Sequence, residues 1–180
     1  MRIIAGKYGG RRLSTFKADH IRPTTDRVKE SLFNKLQGEL EGARVLDLFA
    51  GTGNLSFEAL SRGALSIDAV EMSKASVAII NKNKKMLEVG SELCIHLQDV
   101  IKFLKNCRQK YDIIFIDPPF TKKMAHSVLE TLSQSDVFHP HSEVFIESSS
   151  QEKVMESYPP LWQKSHKAFG DKYLSHYVLS

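Results

Sequence analysis

The segment from residue 47 to residue 54 reads DLFAGTGN, and its residue types suit ligand binding. Two glycines in it, Gly51 and Gly53, allow the backbone to turn tightly and to approach a bound molecule closely. Paired glycines can also serve only to relieve strain between a strand and a helix. Glu71 follows Gly51 by 20 residues, the spacing at which an acidic side chain accepts hydrogen bonds from ribose hydroxyls. The combination indicates a site for a nucleotide-like ligand.

Three polar residues near this turn bear on which ligand it binds. A nicotinamide dinucleotide motif has a third glycine, and Ser56 stands in its place. Asp47, inside the predicted strand, would face a cationic group better than a pyrophosphate. S-adenosylmethionine carries a sulfonium and an ammonium and has no phosphate, so Asp47 favours this cofactor. Asp99 adds a carboxylate at the same predicted edge, where it either accepts a hydrogen bond from an adenine amino group or caps the following helix.

A second segment whose residues could take part in a reaction consists of Asp117, Pro118, Pro119 and Phe120. Consecutive prolines remove two backbone donors and leave carbonyl oxygens exposed, beside a carboxylate and an aromatic ring. A planar exocyclic amine has two N–H bonds, which the Asp117 carboxylate and the Pro118 carbonyl can accept while Phe120 lies against the base. The segment therefore predicts methylation of an amino group. A proline-rich turn with a buried phenylalanine is the alternative, and the position at the end of a strand argues against it.

The elements that position these residues follow from the apolar pattern after Gly42. Strands are predicted at residues 45–49, 66–70, 93–97, 111–116 and 143–147. Helices are predicted at residues 53–62, 73–88, 100–107, 122–133 and 150–157. Strands joined by helices predict an α/β fold with a mostly parallel sheet that is covered on both faces. Residues 162–169 and 173–179 predict a C-terminal antiparallel hairpin.

The N-terminal part, residues 1–41, has a different pattern from residues 42–180. Residues 2–13 alternate weakly and contain three glycines, which predicts a short hairpin-like arm. A helix should follow, with Thr24 or Thr25 as its cap and Gly38 at its end. Its predicted apolar face consists of Val28, Leu32, Phe33 and Leu36. We expect the two parts to form one compact unit, with the predicted methylation of an amino group carried out by residues 42–180.

Positive charge is concentrated at the N-terminus. Residues 1–35 hold nine Lys and Arg against three acidic residues, whereas the remaining residues hold 16 against 18. Such a basic segment suits a phosphate-backbone partner, because each neutralised phosphate releases counterions. A solvated terminus is the other interpretation, and charge alone does not separate the two. The candidate docking residues are Arg2, Lys7, Arg11, Arg12, Arg22 and Arg27.

Four segments, DLFAGTGN, VEMS, QDV and DPPF, occur in the order that resembles S-adenosylmethionine-dependent amino methyltransferases. The N-terminal RIIAGKYGGRRL and IRPTTDRVKESLFNKL are similar to one branch of them, the bacterial RsmD-like enzymes, which methylate the N2 amine of a guanine in 16S rRNA. The resemblance spans the chain and is looser in the C-terminal half. It implies a Rossmann-like class I methyltransferase fold. It also implies 16S rRNA or the assembling small ribosomal subunit as the partner.

The resemblance implies roles for particular residues. It places the target base at Asp117, Pro118, Pro119 and Phe120. It assigns the ribose of S-adenosylmethionine to Glu71 and the adenine to Asp99. The full set of implied cofactor residues is Asp47, Phe49, Ala50, Gly51, Thr52, Gly53, Asn54, Glu71, Met72, Asp99 and Val100. The implied reaction is a direct displacement that needs no metal and no covalent nucleophile, and we expect a monomer.

Other functions stay open at this stage. A noncatalytic RNA-binding assembly factor would be expected to have lost the glycine turn or DPPF, and both are intact. An amino methyltransferase acting on DNA adenine or on a protein glutamine is compatible with DPPF.

Several remaining residues are expected to carry no chemistry. His139 and His141 suggest a solvated loop more than a metal site, because no further ligand lies near them in sequence. Cys94 and Cys107 are expected to pack in the interior of a protein from a reducing compartment. Because the chain shows neither a signal-peptide h-region nor a membrane-length apolar stretch, we expect a cytoplasmic protein without membrane contact.

Overall fold

A computed structural model describes residues 1–16, 26–119 and 124–180. The helices in these ranges are α1 (Asp26–Lys35), α2 (Asn54–Ser61), α3 (Lys74–Met86), α4 (Val100–Asn106) and α5 (Ala125–Ser133). The strands are β1 (Arg44–Leu48), β2 (Ser66–Glu71), β3 (Leu93–Leu97), β4 (Ile113–Ile116), β5 (Glu143–Ser149), β6 (Ser157–Tyr158), β7 (Leu161–Phe169) and β8 (Lys172–Leu179). None of the helices in these ranges is both long and apolar enough for a membrane crossing.

The strands form one sheet in the order β3-β2-β1-β4-β5-β8-β7-β6. The first five strands are parallel, and β8 runs antiparallel to both β5 and β7. The predicted mostly parallel, Rossmann-like sheet with a C-terminal antiparallel hairpin is therefore confirmed. From β1 the chain proceeds outward to β3, and from β4 it proceeds outward in the other direction. The resulting crevice lies at the carboxyl ends of β1 and β4, where such sheets bind ligands.

Apolar side chains of the parallel strands alternate between two cores. Val45, Phe115 and Phe145 point to the face covered by α1, α2 and α3, which we call the α1 face. Leu46 and Ile114 point to the face covered by α4 and α5, which we call the α4 face. This alternation follows from the two-residue period of a strand and decides on which face each polar residue lies.

The predicted N-terminal hairpin is confirmed. Arg2 and Arg12 form an antiparallel bridge, and the Ile3 amide donates to the Arg11 carbonyl at 3.0 Å. Ile3 and Leu13 are buried in the α1-face core, so the arm packs on the sheet. The apolar face predicted for α1 is buried as well, at Val28, Leu32, Phe33 and Leu36. The proposed caps Thr24 and Thr25 lie outside the described residues.

The helix predicted at residues 150–157 is wrong, whereas the other predicted elements differ only at their ends. Tyrosine hydroxyls form hydrogen bonds with the backbone of this segment, in place of the hydrogen bonds of a helix. The Met155 amide donates to the Tyr158 hydroxyl at 3.0 Å, and the Tyr177 hydroxyl donates to the Met155 carbonyl at 2.6 Å. The short strand β6 follows.

The carboxylate of Glu58 in α2 connects the arm to the sheet. It accepts the Ile4 and Ala5 amides at 2.7 and 3.1 Å and the Arg62 Nε at 2.8 Å. Its buried cationic partner is Lys29 of α1, whose Nζ lies 2.9 Å from Glu58 Oε2. Burial raises the pKa of Glu58, but the hydrogen bonds from Ile4, Lys29 and Arg62 outweigh burial and hold the pKa below its ordinary value.

Lys29 extends this connection to the glycine-rich turn. Its Nζ also donates to the Arg2 carbonyl at 3.1 Å and to Asn54 Oδ1 at 2.8 Å. The Lys29 side chain is only 1% exposed and that of Glu58 is fully buried. One buried ion pair therefore joins the arm, α1, α2 and the end of the turn.

Replacing Lys29 by Met is expected to lower the free energy of unfolding by about 3–5 kcal/mol, because the Glu58 carboxylate loses its fully buried cation and keeps only the more exposed Arg62. Urea unfolding at neutral pH measures the change. Lys110→Met is the matched control, since it removes the cation of the solvent-exposed pair with Asp136 and should leave stability within experimental error. Equal stability of wild type and Lys29→Met would contradict the importance of the buried pair.

Candidate active site

Four carboxylates lie at the carboxyl ends of neighbouring parallel strands. Each of them follows by two positions a residue of the α1-face core, namely Val45, Ala69, Phe115 or Phe145. Since side chains two residues apart share a face of the sheet, all four carboxylates project toward the α1 face. They are Asp47, Glu71, Asp117 and Glu147. The crevice at the β1 and β4 ends is therefore strongly acidic.

Among the carboxylates that the sequence predicted for this site, Asp47 is the most buried. It is 1% exposed and accepts a hydrogen bond of 2.5 Å from the Ser56 hydroxyl. The pKa of Asp47 is raised to about 7, and burial is the largest cause. The Ser56 hydrogen bond lowers the pKa, and the charges of Asp117 and Glu71 contribute to raising it. A cationic group brought beside Asp47 would stabilise its ionised form.

The glycine-rich turn has an unusual backbone. Phe49, Gly51 and Gly53 all have positive φ angles, of 67°, 56° and 88°. A side chain of the size of phenylalanine is rarely held in the left-handed region, and such strain is often found at functional sites. A Cβ on Gly53 would lie 2.6 Å from Cε2 of Phe57, so this position requires glycine. Glycine at position 53 thus lets the turn pack against α2 and α3.

Glu71 holds this turn in place. Its two carboxylate oxygens accept the Gly51 amide at 2.9 Å and the Ser73 amide at 2.7 Å. Each oxygen has a further lone pair with which it can accept a ligand hydroxyl. Met72, the next residue, is 62% exposed beside it.

Asp99 caps α4, because its carboxylate accepts the Lys102 amide at 3.0 Å. This was one of the two roles that the sequence left open. Contact with an adenine amino group stays a prediction, and the capping bond uses only one of the two carboxylate oxygens. Val100, at the start of the same helix, is buried in the α4-face core.

Asp117 is partly buried directly after β4, and its amide donates to the Leu48 carbonyl of β1 at 3.4 Å. Burial raises the pKa of Asp117 to about 6, while the charge of Lys172 lowers it. Pro118 is buried and Pro119 is exposed at the crevice. Asp117 and Pro118 therefore stand next to the end of the strand that carries Asp47. Phe120 and Arg22 lie outside the described residues.

Two residues of this region were missed by sequence reasoning. Glu147 at the end of β5 is 3% exposed, and the Lys172 Nζ lies 3.3 Å from its Oε2. Burial and then the charge of Asp117 raise the pKa of Glu147. Glu147 follows the apolar run of β5 just as Asp117 follows that of β4, and this shared position in the sequence could have identified it. Lys172 comes from the C-terminal hairpin, to which the sequence assigned no chemistry.

The arm presents four cations to solvent. Arg2, Lys7, Arg11 and Arg12 are exposed, as is Arg27 of α1. Lys7 and Arg11 line a groove of about 290 Å³ whose wall includes Tyr8. The Lys7 Nζ lies 5.1 Å from the centre of the Tyr8 ring.

The arm also contacts the turn itself, through Asn83 of α3. This fully buried amide accepts the Ser14 amide at 2.7 Å, donates to the Ser14 carbonyl at 3.0 Å and donates to the Thr52 carbonyl at 3.4 Å. In addition, the Thr52 hydroxyl lies 3.9 Å from the Met1 Sδ. The two ends of the arm therefore lie at the glycine-rich turn, whereas Lys7 lies at the other end of α2, where its amide donates to the Ser61 carbonyl at 2.7 Å.

A further polar cluster lies on the α4 face, away from the crevice. Donor atoms of Asp68, Cys94 and His96 lie within 4.8 Å of one another. The Asp68 carboxylate already pairs with His96 at 2.5 Å and accepts the Tyr111 hydroxyl at 3.1 Å, so it serves to connect elements of the fold. Cys94 is exposed, which corrects its predicted interior position, whereas Cys107 packs against the α4-face core.

Comparison with known proteins places the chain among its relatives. The family model described as conserved hypothetical protein 95 matches residues 1–178. The ribosomal RNA small subunit methyltransferase D of Haemophilus influenzae is 35% identical over 158 residues, which cover 86% of this chain and 82% of that protein. The Escherichia coli K12 protein of the same name is 33% identical over 162 residues, with 90% and 81% coverage.

Two solved structures, described as a candidate methyltransferase and a candidate methylase, are similar throughout. The Escherichia coli protein yhhF aligns with a TM-score of 0.87 and 30% identity over 100% of this chain and 98% of its own. A Haemophilus influenzae protein aligns with a TM-score of 0.85 and 30% identity over 99% and 98%. The predicted Rossmann-like methyltransferase fold is thus confirmed. These matches show that the chain belongs to the family of the ribosomal RNA small subunit methyltransferases D.

Proposed function

We propose that this protein transfers the methyl group of S-adenosylmethionine to the N2 amine of a guanine in 16S rRNA, either free or in an assembling small subunit. One observation carries the proposal: Asp117 and Pro118, which offer two acceptors for an amine, lie at the same crevice as the buried Asp47, which suits a cation. The names of the relatives support rRNA as the substrate class.

The crevice fits S-adenosylmethionine on two structural grounds. The backbone at Gly51 has a positive φ and open space where a side chain would stand, with only the Phe49 carbonyl at 4.0 Å, and the buried Asp47 would be stabilised as a carboxylate by a neighbouring cation. When bound, the cofactor supplies an activated methyl group. We assign its binding to Asp47, Phe49, Ala50, Gly51, Thr52, Gly53, Asn54, Glu71, Met72, Asp99 and Val100. In this assignment Glu71 accepts ribose hydroxyls and Asp99 accepts the adenine amino group.

The target amine is assigned to Asp117 and Pro118, with Pro119 and Phe120 completing the pocket. The N2 lone pair of guanine is delocalised into the ring, so accepting both N–H bonds favours the pyramidal and more nucleophilic geometry. Asp117 then takes the proton that the amine loses. Because the methylated ammonium is a strong acid, a carboxylate is basic enough for this step. Alignment of two reacting groups can lower a barrier by up to about 7–11 kcal/mol, and we assign this task to the crevice.

The N-terminal arm is assigned to docking of the RNA. Its exposed cations are Arg2, Lys7, Arg11 and Arg12, to which we add Arg27 and the sequence candidate Arg22. Phosphate contacts of this kind set the position of the nucleic acid, and the target base must be unpaired or flipped to reach Asp117. Contact between the arm and the glycine-rich turn supports a shared substrate surface.

The first test is methyl transfer to 16S rRNA or small subunits from cells that lack this protein, with mass spectrometry of the nucleosides formed. We expect N2-methylguanosine from wild type. Asp117→Ala is expected to reduce turnover by about 100-fold or more, because it removes the proton acceptor, while cofactor affinity changes little.

Asp112→Ala is the control, since this carboxylate lies before β4 at the opposite end of the strand. Parallel loss of cofactor affinity and turnover in Asp117→Ala would place Asp117 in the cofactor site. Methylation of DNA adenine or a protein glutamine in place of rRNA would identify the alternative substrate, and no transfer by wild type would favour an assembly factor.

Asp47→Asn is expected to weaken binding of S-adenosylmethionine by about 10- to 100-fold in calorimetry, because a charged acceptor is removed. It should also stabilise the cofactor-free protein at neutral pH. The pKa of Asp47 is raised from 3.8 to about 7, so wild type loses stability as pH rises between these values. Thermal unfolding should therefore show a gain for the variant that grows up to about pH 7. Binding of NAD without binding of S-adenosylmethionine would refute the cofactor assignment.

The double variant Arg11→Ala with Arg12→Ala is expected to weaken RNA binding and to spare cofactor binding. The slope of log affinity against log salt should flatten by about 0.7–0.9 for each phosphate that the variant no longer neutralises. Lys105→Ala with Arg108→Ala removes two exposed cations near the end of α4 and serves as the matched control. An unchanged slope in the arm variant would remove the arm from the RNA interface.

A further inference from the structure

Glu147 places a second buried carboxylate beside Asp117. The parallel strands β4 and β5 pair Ile116 with Ile146, so the next residue on each strand, Asp117 and Glu147, are neighbours. Two adjacent carboxylates removed from water repel each other, and their joint ionisation is unfavourable without a nearby cation. The proposed amine acceptor therefore sits in surroundings that oppose its charge.

Lys172 supplies a cation from β8. It pairs with Ser149 of β5, and Leu174, two residues later, packs in the α1-face core, so Lys172 projects toward the same face as the carboxylates. Its Nζ lies 3.3 Å from Glu147 Oε2, and the two side chains are only 13% and 4% exposed. Its charge also lowers the pKa of Asp117.

The other charged groups on this side of the crevice do not share this role. Asp47 of β1 and Glu71 of β2 are themselves carboxylates and oppose further negative charge. Lys29 of α1 is engaged with the α2 carboxylate. Within the described ranges, Lys172 is the cation whose charge acts on Asp117.

We propose that Lys172, held in place by Glu147, is a positioning residue that keeps Asp117 in the ionised form required by the target amine. The proposal rests on the proposed function and extends it to the C-terminal hairpin. Lys172 touches neither the amine nor the methyl group in this role. It acts through the electrostatic environment of the acceptor.

The charge on Asp117 matters at a defined point of the reaction. A bond forms between the amine nitrogen and the methyl carbon, while the bond from that carbon to sulfur breaks and leaves its electron pair on sulfur. The proton lost by nitrogen passes to an Asp117 carboxylate oxygen and then to solvent. A protonated Asp117 would be a weaker acceptor for its N–H bond and could not take this proton.

The experiment is single-turnover methyl transfer at saturating rRNA and S-adenosylmethionine, measured between about pH 5 and pH 9. Lys172→Met removes the stabilising charge, so we expect the acid limb of the rate profile to move upward by about one pH unit or more. Lys172→Arg restores the charge and should return the limb to its wild-type position. Lys164→Met, which removes an exposed cation of the same hairpin, is the matched control and should leave the limb unchanged.

Glu147→Gln provides a second and opposite measurement. It removes the neighbouring like charge, while the amide oxygen of glutamine can still accept the Lys172 Nζ hydrogen bond, so the acid limb should move to lower pH. Opposite shifts in the two variants would not follow from a common folding defect. If Lys172→Met does not fold, Lys172→Gln removes the same charge with a polar side chain, and the same upward shift of the acid limb is expected.

An unshifted limb in Lys172→Met, or an upward shift in Glu147→Gln, would overturn the proposal. A higher KM for rRNA with no movement of the limb would identify Lys172 as a phosphate-binding residue and would also overturn it. Failure of wild type to methylate rRNA at any pH is a separate result, because it refutes the proposed function itself.

Discussion

The buried ion pair between Lys29 and Glu58 is the interaction on which the arrangement of the N-terminal part depends. Removing two charges from water is costly, and the cost is offset only when the remaining donors and acceptors are also satisfied. Glu58 meets this condition with two arm amides and Arg62, and Lys29 meets it with Asn54 and an arm carbonyl. The pair therefore requires that the arm, α1 and α2 be in place together.

A second constraint arises from the parallel sheet. Strand ends on one edge bring their terminal side chains together, and in this chain several of those side chains are acidic. Burial makes Asp47, Asp117 and Glu147 harder to ionise than free carboxylates. Such a site is unfavourable for the isolated protein and favourable for a cationic ligand. The buried carboxylates of the crevice lower the free energy of unfolding, and the packing of the two apolar cores offsets this loss.

Sequence reasoning was most successful where the determinant is local or periodic. The strand pattern and the glycine-rich turn were sufficient to predict the sheet and the edge at which Asp47, Glu71 and Asp117 would meet. Lys29 was not recognised because it stands among the polar positions of an amphipathic helix, and its partner Glu58 is distant in sequence. The nonhelical segment after β5 was missed because its backbone is satisfied by tyrosine hydroxyls that arrive from other elements.

Asn83 couples the stability of the arm to that of the glycine-rich turn. Its buried amide binds both the amide and the carbonyl of Ser14 and also the carbonyl of Thr52 in the glycine-rich turn. Separating the arm from α3 would remove two of the three hydrogen bonds of this amide, each with a net contribution of about 0.5–1.5 kcal/mol to stability. Local opening of the arm and loosening of the turn are therefore thermodynamically linked events. A ligand that orders the turn also suppresses fraying of the first residues of the chain.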